Sequence, residues 1–126
     1  MQKAKYVRLF ADKDGESHFE DLEIELSPTN FAPPAPPLNF SQFFPTAQSY
    51  WVGGSSDWAG DTPHPSPRRQ IICFLRGEVE EFASDGTSRR LAPGDVILIE
   101  DTWGKGHTAR FFGDEVLVLG IALANP

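Results

Sequence analysis

Residues 63–110 read PHPSPRRQIICFLRGEVEEFASDGTSRRLAPGDVILIEDTWGKGHTAR, a run of short apolar segments separated by turn signals. Asp85-Gly86 is a hairpin signal, because both residue types tolerate the positive φ that a tight hairpin turn requires. Pro93-Gly94-Asp95 marks a second turn. Turn signals spaced by about eight to twelve residues are typical of an all-β sandwich or barrel. The stretch therefore predicts a β-fold, which could bring two distant histidines, His64 and His107, toward one place.

Strand patterns continue on both sides of this stretch. Alternation in residues 19–26 puts Leu22, Ile24 and Leu26 on one face and acidic residues on the other. Gly77 and Gly113-Asp114 are predicted to turn the chain between consecutive strands. The predicted strands cover residues 6–10, 19–26, 49–53, 70–75, 78–82, 87–91, 96–99, 107–112 and 116–123. No window of about eleven residues has helical periodicity, so the predicted fold class is all-β.

The length of 126 residues suits one domain with a single core. Within it, residues 1–48 are predicted to form N-terminal strands and a proline-rich connector, and residues 49–126 a barrel. Proline cannot donate to a strand ladder, so the proline-rich segment 28–45 is predicted to be an extended loop. Its phenylalanines would cover apolar surface of the barrel; a motif for a proline-binding partner is the alternative interpretation.

The net charge of −7, from 11 Lys and Arg against 18 Asp and Glu, argues against a nucleic-acid partner. No segment approaches the roughly 18 continuous apolar residues of a membrane span, and no membrane partner is expected. The first residues, MQKAKY, contain no apolar core of a signal peptide, so we expect a cytoplasmic protein. The single cysteine, Cys73, lies among apolar residues and is predicted to be a buried, inert thiol.

Two spaced motifs occur in the opening stretch: His64-x-Ser66-x3-Gln70-x6-Gly77, and a second that begins at Gly94-Asp95 and ends at His107. They resemble the two conserved motifs of the cupin superfamily. The first family motif runs His-x-His, three or four residues, Glu, six residues, Gly. The second runs Gly, five residues, Pro-x-Gly, two residues, His. The resemblance implies a single-domain cupin barrel, which is a double-stranded β-helix of jelly-roll type.

The resemblance also raises the question of a metal, because metal-binding cupins use these motifs to hold one divalent ion with three His and one Glu. Ser66 stands here in place of the second His, and Gln70 in place of the Glu. A neutral hydroxyl and a neutral amide are poorer ligands for such an ion than imidazole and carboxylate. A divalent metal is therefore disfavoured. If one binds, its predicted ligands are His64, His107 and Gln70.

A metal-free pocket would use the same residues differently. His107 is predicted to be the catalytic acid or base, and Gln70 its polar partner for a substrate carbonyl or hydroxyl. The alternative is that His107 and Gln70 merely bond to each other in a filled core. The predicted ligand-binding residues are His64, Trp51, Arg68, Ile72, Phe74 and Trp103. Ile72 and Phe74 share the face of Gln70 and would form apolar walls.

Several charged residues lie close in sequence to the predicted pocket residues. Asp101 could orient His107, but capping of its own turn is the favoured interpretation. Glu78, Glu80 and Glu81 are predicted to form one solvated strand face. Alternation sends Arg68 and Arg69 to opposite faces, so one of them could reach a carboxylate ligand.

The sequence leaves three functions open. The first is an isomerase- or lyase-type enzyme that acts on a small organic molecule with a pocket histidine. The second is a metal-free ligand-binding or sensory module, and the third a weakly metal-dependent oxygenase-type cupin. A homodimer is also expected, because cupins of this size commonly pair and because Ile71, Cys73 and Leu75 would be apolar residues facing outward.

Overall fold

Ten β-strands form the regular structure of residues 1–125, the part of the chain that the computed structural model describes. They are β1 (Lys3–Ala11), β2 (Ser17–Glu25), β3 (Ser27–Thr29), β4 (Leu38–Phe40), β5 (Thr46–Gly54), β6 (Ala59–His64), β7 (Gln70–Ala83), β8 (Ser88–Leu91), β9 (Val96–Ile99) and β10 (His107–Leu123). The predicted all-β class is confirmed. Residues 1–125 contain no helix of the length and apolarity that crossing a membrane requires.

Eight strands join one mixed sheet. Six of them follow the order β2-β1-β9-β7-β10-β5, while β6 pairs with β10 and β8 pairs with β7. The β1–β9 pair is parallel, and the other pairs of this sheet are antiparallel. The short strands β3 and β4 form a separate two-stranded sheet.

The predicted turns at Gly77 and Gly113-Asp114 are wrong, because both positions lie inside long continuous strands. β7 has 14 residues and β10 has 17. Gly77 (φ +70°) and Gly113 (φ +117°) adopt positive φ values that bend a strand without ending it. The two glycines lie side by side, and the β7–β10 register shifts between Phe112 and Leu117. The paired strands therefore bend together at this point.

The segment 28–45 also differs from its prediction, because it contains the β3–β4 hairpin instead of an uninterrupted loop. Phe31 stacks on Phe40 with ring centroids 4.8 Å apart, and Phe43 meets both rings edge-on. These phenylalanines thus pack mainly on one another. Phe44 does lie against the large sheet, where it lines an apolar groove beside Ile24. The Pro33-Pro34 peptide bond is cis.

The core lies on one face of the large sheet. Its buried side chains include Leu9, Phe74, Val79, Leu91, Ile97, Ile99, Val116 and Val118. Within β9, Ile97 and Ile99 are buried, while Val96 and Leu98 point to the opposite, outer face of the sheet. Both faces of this strand are apolar, as its sequence predicts.

Candidate functional site

The fold brings His64 and His107 together, as the sequence predicts. His107 is the first residue of β10, and the strand register places it opposite His64 on one side and Ala83 of β7 on the other. The two imidazole centroids are 5.3 Å apart. His107 is buried, with 8% of its surface exposed, whereas His64 is exposed. His64 therefore lies between His107 and solvent.

Gly106 makes this approach possible. A Cβ atom at this position would lie 2.1 Å from the carbonyl carbon of His64, and the residue has a φ of +75°. No residue with a side chain fits without displacing the His64 backbone. The glycine before β10 is therefore what lets β6 lie so close to His107.

Asp101 orients His107. Nδ1 of His107 donates a hydrogen bond to Oδ2 of Asp101 over 2.6 Å, and Asp101 is fully buried. The backbone N–H of Ser66 in turn donates to the Asp101 carbonyl oxygen, over 2.9 Å. The favoured prediction that Asp101 caps its own turn is wrong, because its carboxylate bonds to imidazole instead of to nearby backbone. The bond fixes the tautomer of His107 and leaves Nε2 directed away from Asp101.

Glu81 is a buried carboxyl group next to this imidazole. Its Oε2 lies 4.0 Å from Nε2 of His107, and 7% of the residue is exposed. Within residues 1–125 neither Glu81 Oε2 nor Asp101 Oδ1 has a hydrogen-bond partner. The prediction that Glu78, Glu80 and Glu81 share a solvated face is wrong. Strand alternation puts Glu81 in phase with the buried Val79 and sends the other two to the outer face.

The pKa values of Glu81 and His107 are both raised in this environment. Burial raises the pKa of Glu81 to about 7; the charge of His107 opposes the rise, and the charge of Asp101 adds to it. Burial lowers the pKa of His107, but the hydrogen bond to Asp101 and the nearby carboxylates outweigh it, so the net pKa is raised. Glu81 can therefore hold or release a proton near neutral pH, and its titration is coupled to that of His107, 4.0 Å away.

The metal-ligand positions of the family motif are occupied by a structural hydrogen-bond pair. Nε2 of Gln70 donates to Oγ of Ser66 over 3.0 Å, and that hydroxyl donates to the Arg68 carbonyl oxygen over 2.6 Å. Residues 1–125 contain no group of three or more His, Cys, Asp or Glu side chains placed to hold a metal ion. The set of His64, His107 and Gln70, with only two such side chains, stays a prediction. Gln70 bonds to Ser66, which differs from the alternative interpretation in which it bonds to His107.

The other predicted ligand-binding residues do not gather around His107. Ile72 and Phe74 lie on the core face with Gln70, as alternation predicts, but Phe74 is packed in the core. Trp51 is 67% exposed and pairs with Leu119, which places it on the outer face, away from His107. Trp103 is half exposed beside Gly15. Arg68 is exposed and donates to Oε1 of Gln48 over 2.8 Å.

A different tryptophan, Trp58, packs against β10 at Phe111, four residues along the strand from His107. Its ring stacks on Phe111 with centroids 4.7 Å apart, and it covers Gly60, which has no side chain to block it. The register pairs Gly60 with Ala109, two residues along β10 from His107. The sequence carries little signal for this arrangement, because β6 contains Pro63 and lacks apolar alternation.

An open groove of about 470 Å³ borders His107. It is lined by Pro63, Phe82, Ala83, Ser84, Lys105, Gly106, His107 and Thr108. A groove of this volume lies within the range of small-molecule sites, roughly 300–1,000 Å³. Glu81 and His64 do not line this groove, and Phe82 and Thr108, which pair with each other, lie on the opposite face of the sheet from the Glu81 side chain.

No protein-family model matches this chain, and no curated protein matches it. The solved structures that are similar at low identity include the following two. Protein NMB1881 from Neisseria meningitidis has 16% identity and a TM-score of 0.43, covering 60% of this chain and 72% of its own. A "putative ethanolamine utilization protein q" from Salmonella typhimurium has 15% identity and a TM-score of 0.42, covering 98% of both chains. Both TM-scores are too low to carry an argument, so function is inferred here from the chain's own residues.

Proposed function

We propose that this chain is a small cupin-type barrel that binds a small polar organic molecule beside His107 and transfers protons to and from it. One observation carries the proposal: an imidazole anchored by Asp101 directs Nε2 toward the Glu81 carboxyl group, 4.0 Å away. An imidazole of raised pKa and a carboxyl group with a pKa of about 7 can act at this separation as a base and an acid on one substrate. The common bend of β7 and β10 at Gly77 and Gly113 supports a closed barrel.

The proposed step is proton transfer next to a carbonyl group. Nε2 of neutral His107 takes a proton from the substrate carbon next to the carbonyl group. The C–H electron pair then forms the new C=C bond. The carbonyl π pair moves to oxygen, which receives the proton of Glu81. The products are an enol, His107 imidazolium and Glu81 carboxylate. In a hydroxyketone, the neighbouring hydroxyl proton then passes to the Glu81 carboxylate and His107 returns its proton to the former carbonyl carbon, which completes an isomerisation.

His64 would help to hold the ligand at the entrance. Its Nδ1 lies 3.2 Å from the carbonyl oxygen of Thr62 and donates to it, which fixes the ring and leaves Nε2 free to accept a hydrogen bond. A ligand between His64 and Glu81 would be polar at both ends. This arrangement favours a hydroxyketone or a keto acid over an apolar molecule.

Exchange of substrate hydrogen for deuterium tests the proposal. The protein is incubated in D₂O with dihydroxyacetone, hydroxyacetone, pyruvate and 2-ketobutyrate, and loss of each C–H signal is followed by ¹H NMR. We expect exchange of at least one of these compounds to be at least ~100-fold faster with the wild type than with His107→Gln or Glu81→Gln. If the wild type exchanges none of the four compounds faster than His107→Gln does, the catalytic proposal is wrong. Saturable binding without exchange would favour a ligand-binding or sensory module.

Asp101→Asn tests the positioning of His107 separately from the chemistry. The amide removes the carboxylate that raises the pKa of His107, so the pKa should fall. We expect at least ~10-fold slower exchange and a rate–pH profile shifted toward lower pH. A purely structural role for Asp101 would lower the rate without moving the profile.

We further propose that two copies of this chain pair through the outer face of the sheet. The strand registers place an apolar row across six strands. The row consists of Leu22, Tyr6, Val96, Cys73, Leu119 and Trp51. Six strands spaced about 4.8 Å apart span roughly 24 Å. Such a face suits a standard interface, which buries about 800 Å² on each partner.

Light scattering tests the pairing at about 50 μM protein. We expect twice the chain mass of 14.0 kDa for the wild type. Leu75→Lys should give monomers, because it puts a charge on the outer face. Leu38→Lys, on the β3–β4 hairpin and also exposed, should remain dimeric. A monomeric wild type at this concentration would contradict the pairing.

A further inference from the structure

His18 lies between two carboxylates from turns that are far apart in the sequence. Its Nε2 is 2.7 Å from Oδ2 of Asp12, and its Nδ1 is 2.9 Å from Oδ2 of Asp85. Asp12 belongs to the turn between β1 and β2, and Asp85 to the turn between β7 and β8. One imidazole thus joins the two turns.

Both ring nitrogens of His18 must donate in this arrangement. Oδ1 of Asp12 accepts the backbone N–H groups of Asp14 and Glu16, and Oδ1 of Asp85 accepts the N–H and hydroxyl of Thr87. Each carboxylate therefore stabilises its own turn with one oxygen and bonds to His18 with the other. Ionised carboxylates only accept hydrogen bonds, so two simultaneous bonds require the doubly protonated imidazolium.

The joined turns support the loop that leads to His107. Oγ of Ser17 donates to the Gly106 carbonyl oxygen over 2.7 Å. The backbone N–H of Lys105 donates to the Gly15 carbonyl oxygen over 2.8 Å, and the Lys105 ammonium pairs with Glu16 at 2.6 Å. Residues 15–17 therefore contact both residues that immediately precede His107.

We propose that His18 is a proton-operated clip beside the candidate site. As an imidazolium it holds the Asp12 and Asp85 turns together, and the first of these turns holds the loop before His107. When one proton leaves, one of the two hydrogen bonds is lost and the loop is held less tightly, while the hydrogen bonds between Ser17 and Ser84 remain. The clip does not depend on catalysis, because it concerns only the position of residues 103–106.

The charged groups around His18 determine whether the clip closes at lower or at higher pH. Asp12 and Asp85 face the ring directly; Phe10 covers it at 5.7 Å, with Arg8 on the face of that phenylalanine. The hydrogen bond to Asp12 raises the pKa of His18, partial burial opposes the rise, and the bond to Asp85 adds to it. A raised pKa means that this stabilisation is complete below the ordinary pKa and is lost as pH rises through the folded-state pKa. The clip is therefore closed at pH values below the folded-state pKa of His18 and opens as pH rises above it.

NMR titration from pH 6 to 9.5 tests the clip on the full chain. We expect both ring nitrogens of wild-type His18 to carry protons up to a midpoint that lies above the ordinary histidine pKa. We also expect the Lys105 amide to shift with the same midpoint as the His18 ring. A His18 midpoint at or below the ordinary histidine pKa, or a Lys105 amide that does not respond over the His18 transition, would overturn the proposal.

Variants separate this transition from the titration of His107. His18→Gln should abolish the pH-dependent shift of the Lys105 amide that has the His18 midpoint. Any shift of this amide that is caused by titration of His107 should remain. Asp85→Asn should lower the His18 midpoint, because one carboxylate partner is lost. Asp95→Asn is the matched control: its carboxylate accepts the Ala92 N–H in a different turn, so the His18 midpoint should not change. An equal fall in both Asp variants would contradict the clip.

Discussion

Between pH 4 and pH 8, the free energy of unfolding of Glu81→Gln should increase by about 3 kcal/mol relative to that of the wild type. Burial raises the pKa of this carboxyl group from 4.5 to about 7 in the folded protein. The proton is therefore bound more tightly in the folded state than in the unfolded state. The stabilisation is present below the unfolded-state pKa and is lost as pH rises through about 7. Each pKa unit corresponds to about 1.4 kcal/mol, which gives the expected size.

Chemical denaturation at pH 4, 5, 6, 7 and 8 measures this effect. The amide that Glu81→Gln introduces does not titrate, so the variant should gain stability relative to the wild type as pH rises. Glu80→Gln is the matched control, because the neighbouring carboxylate lies on the outer face and accepts a hydrogen bond from Ser88. It should follow the wild-type profile. Parallel profiles for wild type and Glu81→Gln would show that Glu81 is not held in a proton-retaining environment.

Replacing Gly106 with Ala should be severely destabilising, by at least ~3 kcal/mol. The new methyl group would lie 2.1 Å from the His64 backbone, and the φ of +75° adds strain for any residue with a Cβ. Relief requires β6 to move away from β10, which separates His64 from His107. The free energy of unfolding measures the first effect, and NMR contacts between the two rings measure the second.

Gly94→Ala is the control for backbone strain alone. Gly94 has a φ of +98°, and a Cβ atom added there would meet no heavy atom within 4 Å, so its substitution should cost only about 1–2 kcal/mol. The difference between the two variants measures the close approach of β6. Equal costs would mean that Gly106 is required only for its φ value, and that His64 is not held against His107 by this contact.

Alternation and turn chemistry predict much of the fold from the sequence. The apolar faces of residues 19–26 and 96–99 appear where period two places them. The bends at Gly77 and Gly113 cannot be told from turns in the sequence, because a glycine with positive φ suits a bent strand as well as a hairpin. What distinguishes them is the pairing of β7 with β10, and this pairing joins residues distant in sequence.

The candidate site is only partly readable from the sequence. Motif spacing predicts that His64 and His107 approach each other, and their rings do so. The phase of Glu81 is also readable, since it shares parity with Val79 rather than with Glu80. The Asp101–His107 bond is not, because it depends on how the loop between β9 and β10 folds. Local turn-capping chemistry competes with that geometry, and the sequence alone does not decide between them.

A carboxyl-detected NMR titration of Glu81, with the His107 ring nitrogens followed in the same samples, tests the proton-transfer site most directly. The proposed site predicts that Glu81 titrates near pH 7, far above 4.5, and that both groups respond over a shared pH range. In His107→Gln the Glu81 pKa should rise further, since the imidazolium charge that lowers it is gone. A Glu81 carboxyl group that titrates near 4.5, unaffected by His107→Gln, would contradict the coupled acid–base site.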